Sequence, residues 1–371
     1  MSEYLYSTPP IDRSVALRRH VMGTSMHTFG AWGYREIQVP LLHHFKAVSS
    51  GFSEAEIERS FRVVDQDGNL MLLRPDITPL VAQAFSKMRA PRLPFKVSYT
   101  HKIVRVERSF NRDELESYQI GMEYIGGDPA LADIEVILVA LEVMNSLSVN
   151  DFRLSIADHK LAQYLLKSCG APLRIRQDLQ RALIARDTDE LRSLLRKLGT
   201  RSKYVEALLV MASLRGGRRQ LEQLLELFPN DPVVTTRINY LSKIRHALEE
   251  LGYGEQARIE LGELTGASYY TGISFAILAE GAMREIGHGG RYDHLLESFG
   301  RSVPAAGFSM SLETILQVLN IQDVLPSGLQ EPQVEKLVVP DEDGLDVLKA
   351  ALEKRRMNQP VCLVSPHKKG R

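Results

Sequence analysis

The feature that most constrains the fold is an interruption. Strand-like segments occupy the first part of the chain, stop, and return only after a long helical stretch. Across residues 161–251, leucines recur at helical spacing among many charges, with few strand signals. Alternating or β-rich segments precede it at 34–39, 95–99, 103–107, 118–125 and 152–156, and follow it at 257–261, 273–278 and 284–286. Period 2 argues for strands and period 3.6 for helices. A sheet that the chain leaves and re-enters implies an α+β domain interrupted by an all-helical insertion. The expected layout is a core over residues 1–325, interrupted at about 159–252, with the remainder, 326–371, outside it.

The flanking elements follow the same logic. Ile11, Val15, Val21, Met22, Met26 and Phe29 mark a helix that stops at Gly30 and Gly33. Residues 61–73 read as a hairpin turning at Asp67-Gly68. Asp76, Thr78 and Pro79 open a helix to about residue 88, and further helices are expected at 130–147 and 309–319. Inside the insertion, helices are expected at 173–185, 190–198, 204–214, 219–228 and 233–251. Residues 326–332 read as a linker. Beyond it, 334–339, 344–356 and 361–364 form a short βαβ-like unit, too small for an ordinary independent domain.

Composition narrows the class. Lysine plus arginine and aspartate plus glutamate number 46 each, so the formal net charge is zero. Nucleic-acid binders usually carry a basic excess, so no nucleic-acid partner is expected. Two cysteines, Cys169 and Cys362, stand far apart without metal-ligand spacing, which fits a reducing cytoplasm and no metal site. Residues 1–10 are polar and proline-punctuated, unlike a signal peptide. Residues 134–144 are too short to span a bilayer and contain Glu135 and Glu142, so no membrane role is expected.

Several polar groups are candidates for chemistry. Asp76 before a helix is most simply an N-cap; beside a pocket it would bind an ammonium group. Gln119, Gly121 and Glu123 lie on one strand face, either a solvated face or the floor of a polar pocket in which Gly121 leaves room for a ligand. In a pocket, Glu123 would accept from an imidazole and Gln119 would bind an α-amino or carboxylate group. Arg105 shares its strand face with Glu107. Arg108, Arg112, Asp113, Glu114 and Glu116 read as an exposed hairpin tip. Tyr269-Tyr270-Thr271-Gly272 opens a strand, with tyrosines that pack or line a pocket. Gly289-Gly290-Arg291-Tyr292-Asp293 sets two glycines before a helix, as an anion-binding helix start or a plain turn. His288 beside them reads as incidental, and Arg215-Gly216-Gly217-Arg218-Arg219 as a helix end. No Ser/His/Asp triad or P-loop pattern is present, and no catalytic residue or cofactor is expected.

Taken in order, these segments resemble the catalytic domain of histidyl-tRNA synthetase, a class II aminoacyl-tRNA synthetase fold. Residues 32–40 look like motif 1, the dimer-forming element, and Val104-Arg105-Val106-Glu107 like the Phe-Arg-x-Glu of motif 2. The segment from Leu73 through Asp76 to Thr78 looks like Arg-Pro-Glu-Gly-Thr, and residues 119–126 match Gln-x-x-x-Glu-x-x-Gly. The Tyr-Tyr-Thr-Gly and Gly-Gly-Arg-Tyr-Asp runs match as they stand, and residues 307–314 fall at motif 3. The likeness covers about residues 5–320. It implies a histidine-binding set of Asp76, Thr78, Arg105, Gln119, Glu123, Tyr269, Tyr270, Arg291 and Tyr292, and a self-dimer.

The departures fall on the ATP side. Amino-acid activation joins two anions and needs cations aimed at the phosphates. Where the synthetases carry Gly-Arg-x-Arg, this chain has Arg112, Asp113, Glu114 and Leu115; two further arginine positions hold Thr265 and Thr314. Losing one preorganised donor costs roughly two to three decades in rate, so activation is expected to be negligible. The segment after the linker is also far shorter than the anticodon-binding domain of about 90–100 residues, a typical small-domain size. This combination is similar to a synthetase-like family of regulatory subunits of ATP phosphoribosyltransferase. That resemblance implies a short-form catalytic subunit as partner, assembly into a hetero-oligomer, and histidine as the feedback ligand. A divergent adenylate-forming enzyme and a synthetase-derived RNA-binding module are the competing readings.

Overall fold

The computed structural model describes residues 13–108, 113–185, 187–199, 202–212, 217–264, 269–324, 335–340 and 344–365. Arg112, Thr265, Arg215 and Gly216 lie outside these residues. The described residues fall into two compact units, one within 18–325 and one made from 1–17 and 326–371.

The first element, α1 (Arg13–Ala31), ends in a turn that Gly33 makes possible with φ 79. There the Tyr34 N–H returns to the Phe29 carbonyl at 3.0 Å, a Schellman-like closure. The expected strand at 34–39 shortens to β1 (Arg35–Glu36). A small antiparallel sheet follows, built from β2 (Leu42–His44), β3 (Arg62–Val64) and β4 (Leu70–Leu73) in the order β2-β4-β3. The short helices α2 (Phe45–Val48) and α3 (Glu54–Glu58) lie between β2 and β3, and Ser53 with Glu56 forms a capping box on α3. Asp65 accepts from the Asp67 and Asn69 N–H groups and closes the hairpin turn.

Arg74 then locks this region to the main sheet. It is buried and donates to the carbonyls of Val39, Pro40 and Lys102. Beyond it come α4 (Thr78–Ser86), β5 (Phe95–Arg108), β6 (Asp113–Ile125), α5 (Pro129–Ser146) and β7 (Phe152–Asp158). The two short strands expected at 95–99 and 103–107 are a single long strand, β5. A register shift between Val104 and Glu107 bends it, so simple alternation does not carry through Arg105. The expected tip at 108–116 is mostly strand, with only 109–112 outside the described residues.

Among the described residues, six helices follow: α6 (His159–Ser168), α7 (Leu173–Ile184), α8 (Thr188–Leu198), α9 (Lys203–Met211), α10 (Arg218–Leu227) and α11 (Pro232–Glu250). The sequence reading included most of α6 in the helical stretch from residue 161 but did not delimit it as a helix. The side-chain oxygens of Asp187, Ser202 and Asp231 cap α8, α9 and α11. The chain re-enters the sheet at β8 (Ala257–Ile259), β9 (Ile273–Ala279) and β10 (Gly287–Arg291), passes through α12 (Asp293–Glu297), and closes with β11 (Ala305–Ser311) and α13 (Leu312–Ile321). In the second unit, β12 (Glu335–Val338) and β13 (Val361–Val364) pair in parallel around α14 (Leu345–Arg356).

Among the described residues, the main sheet has eight strands in the order β1-β5-β6-β11-β10-β9-β7-β8. Its inner neighbours are antiparallel, and the outer pairs β1/β5 and β7/β8 are parallel. The glycine pair Gly289-Gly290 is a correction to the sequence reading: it lies within β10, not at a turn or helix start. Neighbouring strands press against it. A Cβ at Gly289 would fall against Phe308 Cβ, 2.5 Å from Phe275 Cζ and 2.7 Å from the Gly307 carbonyl. Gly289→Ala should therefore cost about 1–3 kcal/mol of overpacking strain. Urea unfolding checks this; a midpoint equal to that of the parent chain would contradict it.

Candidate functional site

The centre of the site is Glu123, 1% exposed in the middle of β6. Its Oε1 accepts from Thr78 Oγ1 at 2.7 Å and Tyr99 OH at 3.0 Å, and its Oε2 accepts from Tyr292 OH. Two glycines make this geometry possible. Gly307 lies directly across the β6/β11 ladder, and any Cβ there would occupy the place of Glu123 Oε2. Gly121 lies across from Tyr99, and a Cβ there would sit 2.7 Å from the Tyr99 hydroxyl. The space expected at Gly121 for a ligand is thus filled by Tyr99.

Burial pushes the Glu123 carboxyl up to about 8. The hydroxyls of Tyr292, Thr78 and Tyr99 oppose that rise, and the nearby Asp76 charge adds to it. At neutral pH the group is mostly protonated, so one of its three hydroxyl partners must accept instead of donate. Burial likewise raises the phenols of Tyr99, Tyr269, Tyr270 and Tyr292, which remain neutral.

The other predicted residues divide into those near this centre and those elsewhere. Thr78 and Tyr292 touch Glu123 directly. Asp76 Oδ1 accepts from the Ile77 N–H at 2.6 Å and so serves the start of α4. Gln119 uses its carbonyl on the same Ile77 N–H at 3.2 Å and donates its amide to Ser309 Oγ at 2.9 Å. Tyr269 packs edge-on against Tyr270 and Tyr292, with ring centroids 5.1 and 5.9 Å apart. Arg105 donates to the Pro75 carbonyl at 3.3 Å. Arg291 is not brought to Glu123. Its guanidinium pairs with Asp133 at 2.6 Å and Asp293 at 3.0 Å and donates to the Pro129 carbonyl, fastening β10 to α5.

Three residues were not singled out as site residues by the sequence. Tyr99 was visible only as part of a strand, although a large residue opposite Gly121 is the signal that finds it. His159 is buried and packs 5.6 Å from the Tyr270 ring. Its Nε2 has no partner among the described residues, and burial lowers its pKa to about 4. Arg284 donates to Thr314 Oγ1 at 3.2 Å, so a cation from another segment reaches one of the positions read as having lost one.

Comparison with known proteins agrees with this architecture. The protein-family model described as Histidyl-tRNA synthetase matches residues 11–315. A curated protein of Desulfitobacterium hafniense strain Y51, named ATP phosphoribosyltransferase regulatory subunit, is 28% identical over 357 residues, covering 95% of this chain and 89% of its own. One from Bacillus pumilus with the same name is 28% identical over 349 residues, 93% of this chain and 87% of its own. Among solved structures, an ATP phosphoribosyltransferase regulatory subunit/histidyl-tRNA synthetase from Bacillus halodurans superposes with TM-score 0.83 at 24% identity, over 97% of this chain and 91% of that one. A histidyl-tRNA synthetase from Nostoc gives TM-score 0.76 at 17% identity, over 99% and 87%.

The Glu123 shift makes a pH prediction. Its folded value lies above its ordinary value of 4.5, so its stabilising contribution is full below 4.5 and is lost as pH rises through about 8. Relative to the parent chain, Glu123→Gln should gain stability between pH 5 and 9, by on the order of a few kcal/mol. Urea unfolding across that range measures it, and parallel profiles for the two chains would sink the idea.

Proposed function

The chain belongs to the histidyl-tRNA synthetase family, and from that premise we propose that it acts as a regulatory subunit of ATP phosphoribosyltransferase instead of charging tRNA. In this reading it dimerises in the cytoplasm, binds a short-form catalytic subunit, activates it and conveys feedback inhibition by histidine.

One pattern supports the proposal: residue types suited to an amino acid are kept, while the sequence replaces the cations that activation needs around phosphates. Asp76, Thr78, Gln119, Glu123, Tyr269, Tyr270 and Tyr292 are grouped at the centre of the sheet. The sequence around 112–115 brings acidic residues where activation needs cations, and positions 265 and 314 hold threonine. Near-collinear relatives that carry the regulatory-subunit name support the same reading.

The geometry also suggests how histidine would act. Glu123 already holds Thr78, Tyr99 and Tyr292, so an imidazole reaches it only by displacing a hydroxyl. That exchange gives the ligand different contacts in two arrangements of the same core, which is what a population shift requires. Coupling of this kind is typically about 1–3 kcal/mol and must be reciprocal.

A second reading, a divergent adenylate former, has one observation in its favour: the Arg284 guanidinium beside Thr314. Exchange of pyrophosphate between ATP and histidine by the purified chain separates the two. The regulatory reading expects none, and clear exchange would overturn it.

The direct test follows phosphoribosyl-ATP formation by a short-form catalytic subunit. Adding this chain should raise the rate, and histidine should then lower it. Glu123→Gln should raise the histidine concentration for half-inhibition by about tenfold, within the usual range of coupling energies. Neither activation nor histidine sensitivity in the parent mixture would end the proposal.

A further inference from the structure

The zero net charge of the chain hides an asymmetry. Residues 161–251 hold 16 lysines and arginines against 10 aspartates and glutamates, while the rest of the chain holds 30 against 36. The helical insertion is therefore basic and the remainder acidic. Part of the basic excess borders an open groove of about 830 Å³ between α8 and α9. We propose that this groove is a docking site for a partner protein, and that its occupant is an acidic helical segment with an apolar face.

The floor of the groove is aliphatic. Leu195 of α8 and Val205 and Leu209 of α9 line it. Val205 and Leu209 stand four residues apart, so they share one face of α9. Leu195 is buried, whereas Leu209 is 37% exposed, a large apolar side chain open to water inside a concavity. The volume lies within the range of about 300–1,000 Å³ usual for ligand clefts.

The rim is cationic. Arg192, Arg196 and Lys203 border the groove against one carboxylate, Glu206. Arg192 meets Asp189 at 3.6 Å, but the two side chains are 61% and 94% exposed, and a pair so solvated holds weakly. Arg196 gives its Nε to the Arg192 carbonyl at 3.3 Å and has no ion pair among the described residues. Lys203 has none there either; its ammonium stands 4.6 Å from the centroid of the Phe228 ring. These cations are thus held in place without being neutralised.

Floor and rim together select the occupant. A cationic rim calls for a negatively charged partner, and complementary charge speeds encounter and rejects like-charged competitors. An aliphatic floor rewards only a partner with apolar side chains to bury. Single-stranded RNA meets the first demand but not the second, since its bases gain most from aromatic platforms. The aromatic groups nearest the rim, Tyr204 and Phe228, pack against each other at 5.1 Å, and Phe228 is fully buried. An amphipathic helix with leucines at i, i+3 and i+7 and carboxylates on its flanks meets both demands. The groove is built wholly from the insertion and does not depend on the regulatory reading.

Fluorescence anisotropy with the full chain tests this. The probe is a labelled synthetic helix with leucines at i, i+3 and i+7 and glutamates at most other positions. The comparison probes are the same peptide with lysine for glutamate, and a labelled single-stranded RNA. The acidic peptide should bind saturably, and more weakly as salt rises. Arg196→Glu should weaken it by about tenfold or more, because a like charge then faces the peptide. Leu209→Asp should weaken it to a similar degree, while Leu209→Met should keep it. Lys243→Glu makes the same charge change at an exposed position of α11 outside the groove, and should leave binding unchanged. Thermal melts report whether each variant keeps its fold. No saturable binding of the acidic peptide, equal binding of the acidic and basic peptides, or unchanged binding by folded Arg196→Glu and Leu209→Asp chains overturns the proposal. So does RNA that displaces the peptide and whose own binding is weakened by Arg196→Glu but not by Leu209→Asp. Each of these failures leaves the activation assay with the catalytic subunit untouched, so the two proposals stand or fall separately.

Discussion

A carboxyl group held at the centre of a sheet governs how this core is built. Burying Glu123 without partners would cost several kcal/mol or force it to stay neutral. The core answers with three hydroxyls from three different elements: Thr78 at the start of α4, Tyr99 in β5 and Tyr292 just after β10. Each needs backbone close by, and the glycines at 121 and 307 supply the closeness. The tyrosine cluster, the long β5/β6 pair and the glycine-filled β10 are therefore parts of one packing problem.

Two further buried carboxylates tie the helical insertion to that core. Asp158, fully buried at the end of β7, caps α6 through the Leu161 N–H at 2.8 Å and receives Arg237 from α11 at 2.9 Å. Asp133 on α5 receives both Tyr240 of α11 and Arg291 of β10. Removing one partner of a buried pair typically costs about 3–5 kcal/mol, because the other charge is left uncompensated. Helix α11 is thus anchored at two points to strands and helices that also frame the Glu123 centre.

Much of this was legible in the sequence, and the rest was hidden for identifiable reasons. The sheet, the long helices and the interruption between them announce themselves by periodicity. Thr78, Gln119 and Glu123 were identified by their order along the chain, and they do converge. Gly289-Gly290 was misread because glycine looks the same in a turn and in a strand pressed by its neighbours. Helix α6 fell within the expected helical stretch, but its bounds were not delimited, because it begins directly from β7 with Asp158 ending one element and capping the next. Arg284 escaped because it meets Thr314 only in three dimensions; no local pattern records that a cation lost at one position is approached from another. The pairing of Arg291 with Asp133 was hidden for the opposite reason, since a guanidinium beside a matched motif says nothing about which carboxylate it will find.

The placement of β7 and β8 has an evolutionary consequence. These strands run parallel and side by side, with Leu154 opposite Ala257 and Ile156 opposite Ile259. The chain therefore leaves the sheet for the helical insertion and returns to it at one edge. Parallel strands need a crossover connection, and changing the length of this one costs little, since the loop-closure penalty grows only slowly with length. Such a segment is free to be rewritten wherever it does not meet Asp133 and Asp158. The helices of the insertion can therefore differ in size and surface while the sheet that holds Glu123 keeps its pairing.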